Sequence, residues 1–215
     1  MNILVFICSF IILILWINII PGKIRGFRFS SIIRTFLFYL PFILPFILPF
    51  SNVKFPSFIL PTTSSGYIVA ITTSIIGLIF HKKELKITLN KNFHSFLPSI
   101  SLNYFLLIEL SLILSSIFEE IYYRTILNTN YFLLDILITS ILFVLAHYMQ
   151  KETRESFNIK SYIILFLMSI GWFYSYYISG SILPAIIGHI IYNSPSLYIN
   201  LMKYKKGEDT NGRRN

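Results

Sequence analysis

Apolar residues in this chain come in long, nearly unbroken runs, and polar residues gather between them instead of alternating with them. Seven runs approach the length of about 17–25 residues that a helix needs to cross the hydrocarbon core of a bilayer. They lie near 3–20, 32–50, 62–80, 100–128, 131–148, 161–178 and 181–200. The pattern predicts an all-α chain, a polytopic transmembrane helix bundle of about seven spans. The first run starts without Lys or Arg and ends at Ile19-Ile20-Pro21-Gly22, not at the small residues of a cleavage site, so it reads as a retained span and not as a signal peptide. The second holds Pro41, Pro45 and Pro49. Each proline removes a backbone donor and crowds the turn before it, so a kinked or partly unwound helix is expected there. Such a span is a hinge on a substrate path or, more simply, an irregularity that a bundle absorbs.

Composition supports the membrane reading. The chain is 55% hydrophobic, 17% aromatic and only 13% charged, whereas a soluble domain carries about a quarter charged residues. A cytosolic enzyme, a disordered chain and a nucleic-acid reader are excluded. The one cysteine, Cys8, sits inside an apolar run, which excludes a disulfide framework and a cysteine-rich metal site. The net charge is +9, and the placement of the 18 basic residues explains it. All but Lys54 and Arg124 fall in alternate connections, from Lys23 to Arg34, Lys82 to Lys91, Lys151 to Lys160 and Lys203 to Arg214. By the positive-inside rule the N-terminus lies outside and the C-terminal tail in the cytoplasm, with membrane lipids and not nucleic acid as the charge partner. Lys203-Tyr204-Lys205-Lys206 reads as a lipid-facing anchor, and the tail beyond Gly207 as disordered. The chain therefore divides into N-terminal transmembrane helices (1–99), a four-span core (100–202) and a basic, disordered cytoplasmic tail (203–215). Heavy use of Ile, Asn and Lys suits an AT-rich bacterial source, hence a bacterial plasma membrane.

Ionisable groups inside spans cost about 2.5–3.5 kcal/mol each on insertion scales, so each one marks a candidate site. The fourth span carries Glu119, Glu120 and Arg124. Glu120 and Arg124 are i,i+4 neighbours on a helix, and Glu119 points about 100° away, so Arg124 is expected to neutralise Glu120 and leave Glu119 free. The fifth span carries His147, and the seventh carries His189 with Asn193 one turn on. At about 1.5 Å per residue, and with the turn at 128–131 at the membrane surface, Glu119 lies roughly 14 Å deep, His147 roughly 24 Å, His189 roughly 12 Å and Asn193 roughly 18 Å. The four converge near mid-membrane if the fourth span is long and tilted. Glu119 with His147 can deprotonate water, and His189 with Asn193 can donate to the oxyanion formed when that water attacks a carbonyl. His147, His189 and Glu119 are equally the ligand types of a catalytic zinc site, and the residues alone leave both open. There is no His-Glu-x-x-His helix, and Gly180-Ser181 lacks the flanking glycines of a serine nucleophile motif. Glu109 and Asp135 are further carboxylates within runs, with no assigned part beyond a buried hydrogen bond.

Taken in order, Glu119-Glu120-x-x-x-Arg124, Phe143-x-x-x-His147 and His189-x-x-x-Asn193 resemble the three motifs of the CPBP family, the CAAX prenyl endopeptidases and bacteriocin-processing membrane proteases also called the Abi family. The resemblance covers about residues 100–200. It implies an all-helical intramembrane endopeptidase in which Glu119 and His147 activate water, His189 and Asn193 serve the oxyanion, and Glu120 and Arg124 support them. It also implies a peptide or prenylated or otherwise lipidated protein as substrate, and a mechanism in which no cofactor is required, with zinc as the alternative. Thr125 stands where the family pattern usually has glycine. Two other classes compete: a non-catalytic bacteriocin-immunity or membrane-scaffold member of the same family, and a proton-coupled transporter. The complete set of motifs weighs against the first, and the lack of matched broken helices against the second.

Overall fold

The computed structural model describes residues 3–24, 29–47, 53, 55–61 and 63–212. Pro49, Lys54, Arg25, Arg28, Arg213 and Arg214, used in the reading above, lie outside the described residues. The described residues form helices α1 (Ile3–Lys23), α2 (Ser30–Ile47), α3 (Ser65–Phe80), α4 (Lys82–Thr88), α5 (Lys91–Phe96), α6 (Leu102–Thr125), α7 (Phe132–Met149), α8 (Lys151–Ser156), α9 (Ile159–Ser179) and α10 (Leu183–Gly212), and among them there is no strand. Helices α3, α9 and α10 pack on one another, α6 lies between α10 and α2, α7 leans on α9, and α1 on α2.

Among these, α1, α2, α7 and α9 are long and apolar enough to cross a membrane, and a fifth span results if α3 and α4, which meet at 81°, form one bent crossing. The count is therefore four to five, not the seven expected. The difference has a physical source: α6 and α10, counted as spans in the sequence, carry the ionisable residues and are the least apolar of the long helices.

Helix α2 stays helical through Pro41 and Pro45, so the expected unwinding is not seen at these two positions. Pro41 cannot bond the Leu37 carbonyl, and Trp16 Nε1 of α1 donates to that oxygen at 2.7 Å instead. A neighbouring helix thus satisfies the group that proline frees. Close approach of α3, α9 and α10 depends on small residues. A Cβ on Gly188 would lie 2.8 Å from Trp172 Nε1 and 3.0 Å from the Ala70 carbonyl, and one on Gly171 would lie 2.3 Å from Thr73 Oγ1.

Helix α10 runs on to Gly212, and Lys206 has a partner within the protein. Its Nζ donates to the carbonyls of Ser95 (2.5 Å) and Leu97 (2.7 Å) at the end of α5, a cation placed where a helix presents free carbonyls. Tyr204 stacks on Phe105 at 4.9 Å.

Candidate active site

Helix α6 fixes the centre of the site. Its adjacent glutamates face different neighbours, as the 100° step between consecutive residues requires. Glu120 is fully buried. Its Oε2 accepts from Arg124 Nε at 2.7 Å, and its Oε1 from Arg124 Nη2 at 3.3 Å and from His189 Nδ1 at 2.8 Å. Arg124 is equally buried, donates through Nη1 to Ser169 Oγ at 2.8 Å, and lies 5.1 Å above the centre of the Phe143 ring. A buried carboxylate is tolerable only with such a set of charged donors around it. The i,i+4 pairing read from the sequence is therefore present, and it joins α6 to α9 and α10.

Glu119 has a different setting. It is buried, its Oε2 has no hydrogen-bond partner, and that atom lies 3.7 Å from His147 Nε2. This separation is too long for a direct hydrogen bond. His147 donates through Nδ1 to the Phe143 carbonyl one turn back, at 2.9 Å. That bond holds the ring with Nε2 on the side of Glu119. Thr153 Oγ1 donates in turn to the His147 carbonyl.

His189 stacks on Trp172 with ring centres 4.6 Å apart and planes 14° apart. The Trp172 indole is held by Nε1–H to Ser74 Oγ at 3.0 Å, and Ser74 donates to the carbonyl of Gly188, the residue before His189, at 2.6 Å. Asn193 Nδ2 donates to Ser116 Oγ at 3.1 Å. The Phe143 ring touches both imidazoles, at 4.7 Å from His147 and 6.0 Å from His189. Arg124, His147 and His189 thus lie around one phenyl ring, with Glu119 against His147 and Glu120 against Arg124 and His189, while Asn193 is tied to Ser116 of α6.

Helix α6 stops at Thr125, and the buried residues Ile126 and Leu127 follow it before the exposed Asn128. Asp135, without a part in the sequence reading, is a loop clamp. It accepts from the Thr129 backbone N–H at 3.1 Å and from Thr129 Oγ1 at 2.6 Å. Glu109 accepts from Asn200 Nδ2 at 3.1 Å, outside the cluster.

Among the described residues no three His, Cys, Asp or Glu side chains are grouped as a metal ion requires, while the Nδ1 bonds of His147 and His189 leave each Nε2 uncommitted. The supporting residues Ser74, Ser116, Ser169 and Trp172 escaped the sequence reading. Their only signal was a polar atom in an apolar run, which a helix usually satisfies on its own carbonyls.

Residues 101–195 match the profile of the type II CAAX prenyl endopeptidase Rce1-like proteins. This segment belongs to the Rce1-like family. The Rce1-like segment opens at Ser101, the N-cap of α6, and closes at Pro195, two residues past Asn193. It holds all six candidate site residues and is similar to a protease family, in a chain with four to five candidate membrane spans among its described residues. Comparison with curated proteins and with solved structures gives no match.

Proposed function

We propose that the protein is an intramembrane endopeptidase that cuts a peptide bond in a membrane-associated or lipidated peptide, with Glu119 and His147 activating water. The observation that carries this reading is the Glu119 carboxylate: buried, unpartnered at Oε2, and 3.7 Å from Nε2 of His147, whose ring is held through Nδ1. A water lodged beside these two acceptors can donate a hydrogen to each, which leaves its oxygen directed at a substrate carbonyl. As the oxygen–carbon bond forms, the pair takes the water's proton, and the carbonyl becomes an oxyanion. His189, held through Nδ1 by Glu120, turns an Nε2–H to the oxyanion, and the second N–H of Asn193 Nδ2 donates beside it. The carbon–nitrogen bond then breaks, and the abstracted proton passes to the departing amine. Glu120, Arg124, Ser169 and Trp172 touch no reacting atom in this scheme; they position His189.

The family supports a prenylated or lipidated protein as substrate. The distribution of basic residues supports a cytoplasmic C-terminus. The test is cleavage of a farnesylated peptide set in liposomes by wild type and Glu119→Gln, each with and without a strong chelator. Cleavage that disappears in the variant and ignores the chelator is the expected result. Cleavage abolished by the chelator would replace this mechanism with a metal-dependent one, and a folded wild type that cuts nothing would return the protein to the immunity or scaffold class.

A further inference from the structure

A groove of about 360 Å³ runs between α6 and α10, with Tyr104, Ile108 and Ser111 on one wall and Ser196, Asn200 and Lys203 on the other. It opens at the end of the bundle that carries Lys203 and leads toward the site. On α10, Asn193, Ser196, Asn200 and Lys203 follow one another at three- or four-residue steps and so share one helical face. On α6, Tyr104, Ser111, Ser115 and Glu119 recur at seven- and four-residue steps and do the same. The faces that line the groove are therefore those that end in Asn193 on one helix and Glu119 on the other. Ser196 also borders the cavity beside Asn193.

The polar groups of this groove are open to a ligand. Tyr104 and Ser196 are exposed, and Asn200 and Lys203 are half-buried. Among the described residues no hydrogen bond or ion pair takes up Tyr104 Oη, Ser196 Oγ or Lys203 Nζ. Lys203 is the one charged side chain on the described walls. Glu109 of α6 accepts from Asn200 Nδ2 at 3.1 Å and makes no ion pair with Lys203. The mouth is held in place by the Ile100 N–H, which donates to the Lys203 carbonyl at 3.4 Å. An acyl chain needs none of these groups. A peptide inside a bilayer does, because each main-chain N–H and C=O withdrawn from water must find a partner.

The helix also sets a length. From Asn193 to Lys203 α10 rises about 15 Å, at about 1.5 Å per residue. An extended peptide covers that distance in about four to five residues, at about 3.3–3.6 Å each. We propose that this groove holds the substrate in extended form, and that Lys203 selects an acidic side chain about four to five residues from the cut bond. The proposal rests on the proteolytic reading above and adds a sequence preference to it.

Farnesylated peptides that share one cut site are compared in liposomes, with Ala, Asp or Lys placed at successive positions on either side of the cut. Wild type should prefer Asp to Ala by about three- to fivefold in kcat/KM at a position about four to five residues away, as a partly exposed ion pair implies, and should disfavour Lys there. Lys203→Gln should bring that ratio near one. Lys203→Glu should transfer the preference from Asp to Lys at the same position. Both variants should unfold at the wild-type temperature, since Lys203 Nζ has no partner in the fold. A lysine with a merely structural part would change the rates of all peptides alike. Such a uniform change, a wild-type ratio near one at every position, a preference at another distance, or an Asp preference that survives in Lys203→Glu would overturn the proposal. So would an effect of Lys203→Glu that is equal for every peptide and confined to liposomes containing phosphatidylglycerol, which would make the groove a lipid-phosphate site. Failure of folded wild type to cut any of the peptides would instead remove the proteolytic reading, a result distinct from a lost preference.

Discussion

Adjacent glutamates on one helix offer a controlled comparison, because the same substitution should have opposite consequences at the two positions. Glu120→Gln removes the charge that faces Arg124 at 2.7 Å and His189 at 2.8 Å, all three groups being buried. Removing one partner of a buried ion pair costs about 3–5 kcal/mol, because the other charge is left uncompensated. Glu119→Gln removes a charge whose Oε2 has no partner, so the fold should lose less than about 1 kcal/mol and can gain from the change. In catalysis the order reverses: a lost general base lowers kcat by about 10²–10⁴-fold in a protein that remains folded. The assay is thermal unfolding in detergent followed by Trp172 emission, since this indole is fully buried and stacked on His189, run beside cleavage kinetics on the same preparations. Glu119→Gln should unfold with wild type and cut nothing, and Glu120→Gln should unfold well below it. A Glu120→Gln protein as stable as wild type, or a Glu119→Gln protein as unstable as Glu120→Gln, would refute the division of roles drawn from the geometry.

Three further outcomes follow from the contacts around the site. Ser74→Ala leaves the buried Trp172 Nε1–H without its acceptor and should destabilise the bundle by about 1–3 kcal/mol, visible as a shift in tryptophan emission and a lower unfolding midpoint. Gly188→Ala drives a Cβ to within 2.8 Å of Trp172 Nε1 and should cost about 1–3 kcal/mol, read as lost thermal stability that Gly22→Ala, with open space around its Cβ, does not show. Asp135→Ala frees Thr129 from both of its bonds and should make the 128–131 loop sensitive to limited proteolysis while the unfolding midpoint falls only slightly, and an uncleaved loop would count against the clamp.

The sequence made the pairing of Glu120 with Arg124 legible because helical spacing alone dictates it. The helical class was equally plain, since runs such as 3–20 admit no other backbone in lipid. The partners across helices were not legible. Nothing in the spacing of His189 says that its Nδ1 meets Glu120, because that contact depends on how α6 and α10 are rotated about their axes. The contacts of Lys206 were hidden for a related reason: only the tertiary path of α5 brings the Ser95 and Leu97 carbonyls to it. Span counting met a similar limit, since the helices that hold the chemistry are by that fact less apolar than those that shield them.

Helices α1 and α2 lie outside the Rce1-like segment, yet polar contacts join each of them to α6: Ser9 Oγ with Tyr122 Oη at 2.8 Å, and Tyr39 Oη to the Ser111 carbonyl at 2.7 Å. These two contacts set a rule for inheritance and for grafting. A foreign N-terminal half joined to this segment must supply a hydroxyl opposite Tyr122 and an aromatic donor opposite Ser111, or leave those groups stranded beside the helix that carries both glutamates. The part of the chain that looks interchangeable by hydropathy is thus keyed to the rest by two hydroxyl groups.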